Sequence, residues 1–354
     1  MTQATDKTLR SLNVSQTSEN AEPRATMTAV AHAAGVSQTT VSLVLNDVKG
    51  TRFSSGTRKR VLEAAARLNY RPTRRRTASR AGAQGAIAFV VDEMSTDPWM
   101  ALALDGIRSK AWERGLAVGV FVTGGVVEVE RAALAMLSSD RYAGLIFGAI
   151  NLRRIEPFPA PADMPTVLLN CYLDDHTLPS IVPAEVVGGH AAAKHLIDAG
   201  HRRIGYINGE PSMDASRDRL KGYRRALAEA DILFDRELVR AGNWEPSAGY
   251  EQTLALMKLK KPPTAIFCAN DMTALGCYEA LRELGLKIPR DVAVIGYDDR
   301  DIATFLKPPL TTFLLPIYAM GVEAAECLFS NISRPLNRLS HIKVEGELIE
   351  RGSV

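Results

Sequence analysis

Residues 28–46 read Thr28-Ala29-Val30-Ala31-His32-Ala33-Ala34-Gly35-Val36-Ser37-Gln38-Thr39-Thr40-Val41-Ser42-Leu43-Val44-Leu45-Asn46. Small side chains at Ala31 and Ala34 permit close helix approach, Gly35 suits the left-handed conformation of a tight turn, and Ser37 can cap the helix that follows. Apolar positions recur at helical spacing in this stretch and again at Val61, Leu62, Ala65 and Leu68, which predicts helices over 27–34, 37–45 and 55–68. Three helices in under fifty residues make a small bundle. The glycine turn between the first two gives it the form of a helix-turn-helix.

Charge supports that reading. Residues 24–80 carry 12 Lys/Arg against 2 Asp/Glu, a local balance of +10 in a chain whose net charge is only +3. Residues 1–23 contribute −1, which leaves −6 for 81–354. A small basic module joined to a larger acidic one points to nucleic-acid binding, although a solvated basic tail would give the same balance. Few large apolar residues and no periodicity make 1–23 a disordered leader. The helix-turn-helix headpiece spans 24–72, and the Arg-, Thr-, Ala- and Gly-rich segment 73–84 is a hinge. Some function classes are excluded. No run of 18 uncharged apolar residues appears, and the polar start lacks the apolar stretch of a signal peptide, so a cytoplasmic location is expected. The four cysteines lack C-x-x-C spacing, so no disulfide framework or metal site is expected.

From residue 85 to 354 the chain alternates short apolar runs with amphipathic helices. The runs are 86–91, 116–122, 144–150, 165–170, 203–208, 264–270 and 292–299. Continuous apolar runs suit strands buried on both faces, and the intervening helices supply the crossovers of a parallel sheet. Some 270 residues with seven such strands exceed one comfortable core. The Pro-rich stretch 157–165 and the loop 171–183 interrupt the series, which predicts an α/β core of two similar lobes.

On the second helix Gln38, Thr39, Ser42 and Asn46 form a polar set suited to base edges, with Thr26, Ser37 and Thr40 alongside. Arg52, Arg58, Lys59 and Arg60 can hold phosphates, and Arg74, Arg75 and Arg76 can reach phosphate or the minor groove. In the core, Asp298 and Asn270 end predicted strands and Arg219 opens a helix, all at the edge where α/β sheets bind ligands. Trp244 and Trp99 can offer apolar faces to a sugar ring and Asn170 an amide. Strand-end capping and ordinary packing explain these core residues equally well on sequence grounds. The glycines form neither G-x-G-x-x-G nor a P-loop. His190, His195 and His201 fit structural hydrogen bonding better than a metal, and no nucleophile with a base can be located, so no catalytic residue and no cofactor is expected.

The motif Ala31-x-x-Ala34-Gly35-Val36-Ser37-x-x-Thr40-Val41-Ser42-x-Val44-Leu45-Asn46, followed by Thr57-Arg58-x-Arg60-Val61 and Leu68-x-Tyr70-Arg71-Pro72, resembles the headpiece of the LacI/GalR family of bacterial transcription repressors. Further matches run in order through the core: Gly188-Gly189, residues 195–204, residues 219–223, residues 270–276, residues 291–299, residues 309–312 and Arg351-Gly352-Ser353. The resemblance implies a homodimeric repressor of double-stranded operator DNA with a periplasmic-binding-protein-like core. It also implies a small-molecule effector, expected to be a sugar, between the lobes, with Arg219 and Asp298 at matched effector positions. Two departures bear on specificity. Leu43 stands where the family usually has Arg, and Ser79 where it has a leucine wedge, so the family's common operator is not assumed and the carry-over of its kinked operator centre is weakened. The competing readings are a non-regulatory sugar-binding protein of the same core fold and a sugar-modifying enzyme.

Overall fold

The computed structural model describes residues 27–36, 38–45, 54–68, 70, 85–137, 141–161, 164–333 and 341–354. It divides into two compact units, Met1–Arg74 and Arg75–Val354.

In the first unit α1 (Met27–Ala34), α2 (Gln38–Leu45) and α3 (Ser55–Arg67) close on a core of Val30, Ala31, Ala34, Val41, Val44, Val61, Ala64 and Ala65. Gly35 takes φ +65°, and Val36 N–H returns to the carbonyl of Ala31 at 3.1 Å, so the turn ends α1 as the sequence predicts. Ser54 caps α3 by accepting from Thr57 N–H at 3.0 Å.

The second unit holds two parallel sheets. One has six strands in the order β11-β5-β4-β3-β1-β2: β1 (Ala86–Val91), β2 (Ala117–Val122), β3 (Tyr142–Arg154), β4 (Thr166–Tyr172), β5 (Ser180–Pro183) and β11 (His341–Val344). Its register runs Ala86 against Ala117 and Leu145 against Thr166. Alternation along β1 sends Ile87, Phe89 and Val91 to one core and Ala88 and Val90 to another. The first core lies under α4 (Trp99–Glu113) and α11 (Ile317–Ser333), and the second under α5 (Val127–Met136). The other sheet has four strands in the order β7-β6-β8-β9: β6 (Ile204–Ile207), β7 (Val239–Arg240), β8 (Ala265–Cys268) and β9 (Ala293–Ile295). It is covered by α6 (Glu185–Asp198) and α7 (Asp214–Glu229) on one face and by α8 (Pro246–Met257) and α9 (Asp271–Glu283) on the other.

The chain passes from the first lobe to the second at Ala184. It returns through α10 (Ile302–Phe305) and β10 (Thr312–Phe313) into α11, and crosses again after β11 to β12 (Leu348–Ile349), which pairs antiparallel with β10. All seven apolar runs form strands. The segment 171–183, expected as a loop, contains β5. Its Ser180-Ile181-Val182-Pro183 is too short for an alternation signal, yet it is buried between β4 and β11. β7, β10 and β12 are two-residue strands with no run to announce them.

Candidate functional site

The headpiece candidates fall into three groups. Gln38, Thr39 and Ser42 are carried by α2. Thr40 is 4% exposed and is buried alongside Val41 and Val44. Thr26, Ser37, Asn46, Arg74, Arg75 and Arg76 lie outside the described residues, as do Arg52 and Ser79. On α3, Arg58, Lys59 and Arg60 are exposed, and Arg60 Nε donates to the carbonyl of Ala34, tying α3 to the turn.

The six core candidates are brought together. Trp99, Asn170, Arg219, Trp244, Asn270 and Asp298 all line one cavity of about 270 Å³ between the two sheets of the core. Five sit near a strand end or a helix start, whereas Arg219, expected to open a helix, lies in the second turn of α7. Asn170 lies in β4, Asn270 follows β8, Asp298 follows β9, Trp99 opens α4 and Trp244 precedes α8. Arg219 projects from α7, whose approach to α6 depends on glycine: a Cβ at Gly189 would stand 2.4 Å from the carbonyl oxygen of Arg219, and one at Gly222 2.3 Å from that of Val186. Asn170, Trp244 and Asp298 have φ of +56°, +70° and +107°. Left-handed backbone at non-glycine residues costs about 1–3 kcal/mol each and persists where surrounding structure enforces it. Asn270 supplies part of that enforcement, since its Nδ2 donates to the Trp244 carbonyl at 3.0 Å while its Oδ1 caps α9 through Thr273 N–H. The Trp244 indole lies on Gly209 and donates to Met213 Sδ at 2.9 Å. Asn170 donates to the carbonyls of Ala149 and Ile150. The amides therefore build the cavity wall as well as line it.

Sequence reasoning missed the centre of the site, which is a buried ion pair. Glu185, the first residue of α6, accepts from Arg219 Nε at 2.7 Å and Nη2 at 2.9 Å, and Arg219 Nη1 donates to the Ala269 carbonyl. The guanidinium also lies 3.6 Å over the Tyr297 ring and 3.7 Å from Asp298 Oδ1. Burial works against the Arg219 charge, and Glu185, Tyr297 and Asp298 together more than offset it, so its pKa is raised. Asp298 is 6% exposed, and burial holds its carboxyl well above the usual carboxylate range against the pull of Arg219. Two further pairs bridge the lobes beside the cavity. Arg300 meets Asp97 at 2.9 Å and faces the Trp99 ring at 5.5 Å, and Tyr172 Oη donates to Asp214 at 2.9 Å. The signal for Glu185 was its place at the start of a helix following the last apolar segment of the first lobe. Four-residue β5 hid that boundary.

Two family models match the chain: the bacterial regulatory proteins of the lacI family over residues 26–73, and the periplasmic binding protein-like domain over residues 193–354. The HTH-type transcriptional repressor PurR of Vibrio atlanticus is 33% identical over 333 residues, covering 93% of this chain and 98% of that one. Among solved structures, the transcriptional regulator CelR in complex with cellobiose is 30% identical, with 94% of this chain and 100% of that one covered and a TM-score of 0.65. The Lac repressor dimer bound to operator and the anti-inducer ONPF is 29% identical, with 94% and 99% covered and a TM-score of 0.64. These relatives are repressors and regulators, not enzymes. With a helix-turn-helix headpiece, a two-lobed α/β core and relatives of this identity over nearly its whole length, the chain belongs to the LacI family of bacterial DNA-binding transcriptional repressors.

Proposed function

We propose that this repressor binds its operator with an affinity set by a small neutral sugar held in the core cavity. The observation that carries the reading is the convergence of six side chains, spread in sequence from Trp99 to Asp298, on one cavity. Its volume of about 270 Å³ lies at the foot of the usual range for small-molecule sites, which favours one ring over two. Indole faces can cover the C–H surface of a pyranose. The Asp298 carboxyl can accept from vicinal hydroxyls, and the amides of the wall add directed partners. CelR, whose complex holds cellobiose, supports a carbohydrate as the class.

The working form is a homodimer in the cytoplasm. Val120 and Val122 of β2, the edge strand of the larger sheet, and Val126, Val127 and Val129 beside it are 38–53% exposed, an apolar margin suited to a self-complementary interface. No helix among the described residues is long and apolar enough to cross a membrane. A thermal-shift screen of mono- and disaccharides tests the effector class. A ligand bound only by the folded state at 100 times its dissociation constant adds about 2.7 kcal/mol. Stabilisation by a monosaccharide is the expected result, and stabilisation confined to ligands without vicinal hydroxyls would overturn the reading.

A further inference from the structure

The cavity carries more negative charge than a neutral sugar needs. Five carboxylates line it, those of Asp97, Glu185, Glu210, Glu245 and Asp298, against the guanidiniums of Arg219 and Arg300. Both guanidiniums are engaged by carboxylates already. Asp97 holds Arg300 at 2.9 Å, and Glu185 closes both the Nε and Nη2 edge of Arg219 in a bidentate pair with 4% and 2% side-chain exposure. A planar guanidinium fork is the usual grip on a carboxylate or phosphate. Here that grip is filled from within the chain, and the Arg219 Nη1 hydrogen turned toward Ala269 is filled as well. An anion entering the cavity would meet Asp298 and the rim carboxylates Glu210 and Glu245, with the Nε–Nη2 edge of Arg219 already closed and Arg300 already paired to Asp97. Like-charge juxtaposition in such a site costs several kcal/mol.

We propose that Glu185 sets the charge class of the effector: by occupying the Arg219 fork it makes the cavity accept ligands whose recognised edge is neutral or bears an amine, and reject carboxylates and phosphates. The inference rests on the reading of this cavity as the effector site. In this role Glu185 is a positioning residue that acts through Arg219. Asp298, which no other side chain hydrogen-bonds among the described residues, is the group left to meet a hydroxyl or ammonium.

The test uses the intact protein and its own fluorescence, since Trp99 and Trp244 line the cavity while the third tryptophan, Trp112, is 80% exposed. Matched hexoses that differ in one group are titrated: glucosamine, glucose and glucuronate, then the galacto series. The amine or the neutral sugar is expected to bind about tenfold or more tightly than the acid. An acid that binds as tightly as its amine overturns the proposal. Should no hexose bind, the sugar reading above fails, and the charge claim is decided by inorganic phosphate against wild type and Glu185→Gln. A saturable response in Glu185→Gln and none in wild type supports it, whereas equal responses, present or absent, overturn it. Glu185→Asp, too short to close both nitrogens, replaces Glu185→Gln in the same comparison if circular dichroism shows that the glutamine variant does not fold.

Discussion

Arg219 has most of its donors committed within the protein, two to Glu185 and one to the Ala269 carbonyl. Its replacement should therefore be read first as a loss of stability. Arg219→Ala leaves Glu185 buried without its counter-ion, which typically costs about 3–5 kcal/mol, and denaturant unfolding of the core should show it. Asp271 gives a prediction in pH. Wholly buried, it is pushed up to about 7 by burial, against the pull of hydrogen bonds from Thr312 Oγ1 and Arg300 N–H. Its folded pKa lies above the unfolded value, so its contribution to stability is fully present below about pH 4 and is lost as pH rises through 7. Thermal unfolding of wild type and Asp271→Asn at pH 5 and pH 7.5 should show the balance moving in favour of the variant at the higher pH. A constant difference would contradict the assignment. Asp298 after its strand and the two indoles beside helix starts were legible from residue type and place, and Arg219 from its matched family position. The partner Glu185 was not, because pairing between residues 34 apart depends on the close approach of α6 and α7 at Gly189 and Gly222, which only the fold discloses.

The headpiece helices and the seven strands that form on the long apolar runs were readable because each carries its own signal: a glycine turn and a helical period in one case, an unbroken apolar run in the other. Short strands carry none. β7, β10 and β12 have two residues each and owe their existence to neighbours. For α2, Gln38→Ala and Thr39→Ala should relax preference at particular base pairs, each mismatch being worth about 1–3 kcal/mol, while Thr40→Val should change stability rather than sequence preference. Selection from randomised duplexes decides between these roles. For the pair α8 and α9, a Cβ at Gly276 would lie 1.8 Å from the Pro246 carbonyl oxygen and one at Gly249 2.0 Å from that of Thr273. Backbone cannot yield as a flexible side chain does, so Gly276→Ala should destabilise by about 1–3 kcal/mol or more, seen as a lower denaturant midpoint.

At the scale of the whole molecule the charge is divided, with +10 in residues 24–80 and −6 in 81–354. If two headpieces neutralise about six to ten phosphates, operator affinity should fall by about 10³–10⁵ between 50 and 200 mM salt. A nearly flat salt response would remove the electrostatic part of the account. The central claim is that occupancy of the core cavity sets operator affinity, which requires the effector to bind two arrangements of the protein unequally. Asp298→Gly tests it well, because φ of +107° suits glycine and the change removes the carboxylate without adding backbone strain. The decisive measurement is fluorescence anisotropy of a labelled operator, at fixed salt, with and without a ligand that stabilises the wild type. Wild-type affinity should change by about 5–150-fold, and Asp298→Gly should bind the operator as the wild type does without ligand and show no such change. A wild type whose operator affinity is indifferent to the bound ligand, or a variant that responds in full, would contradict it.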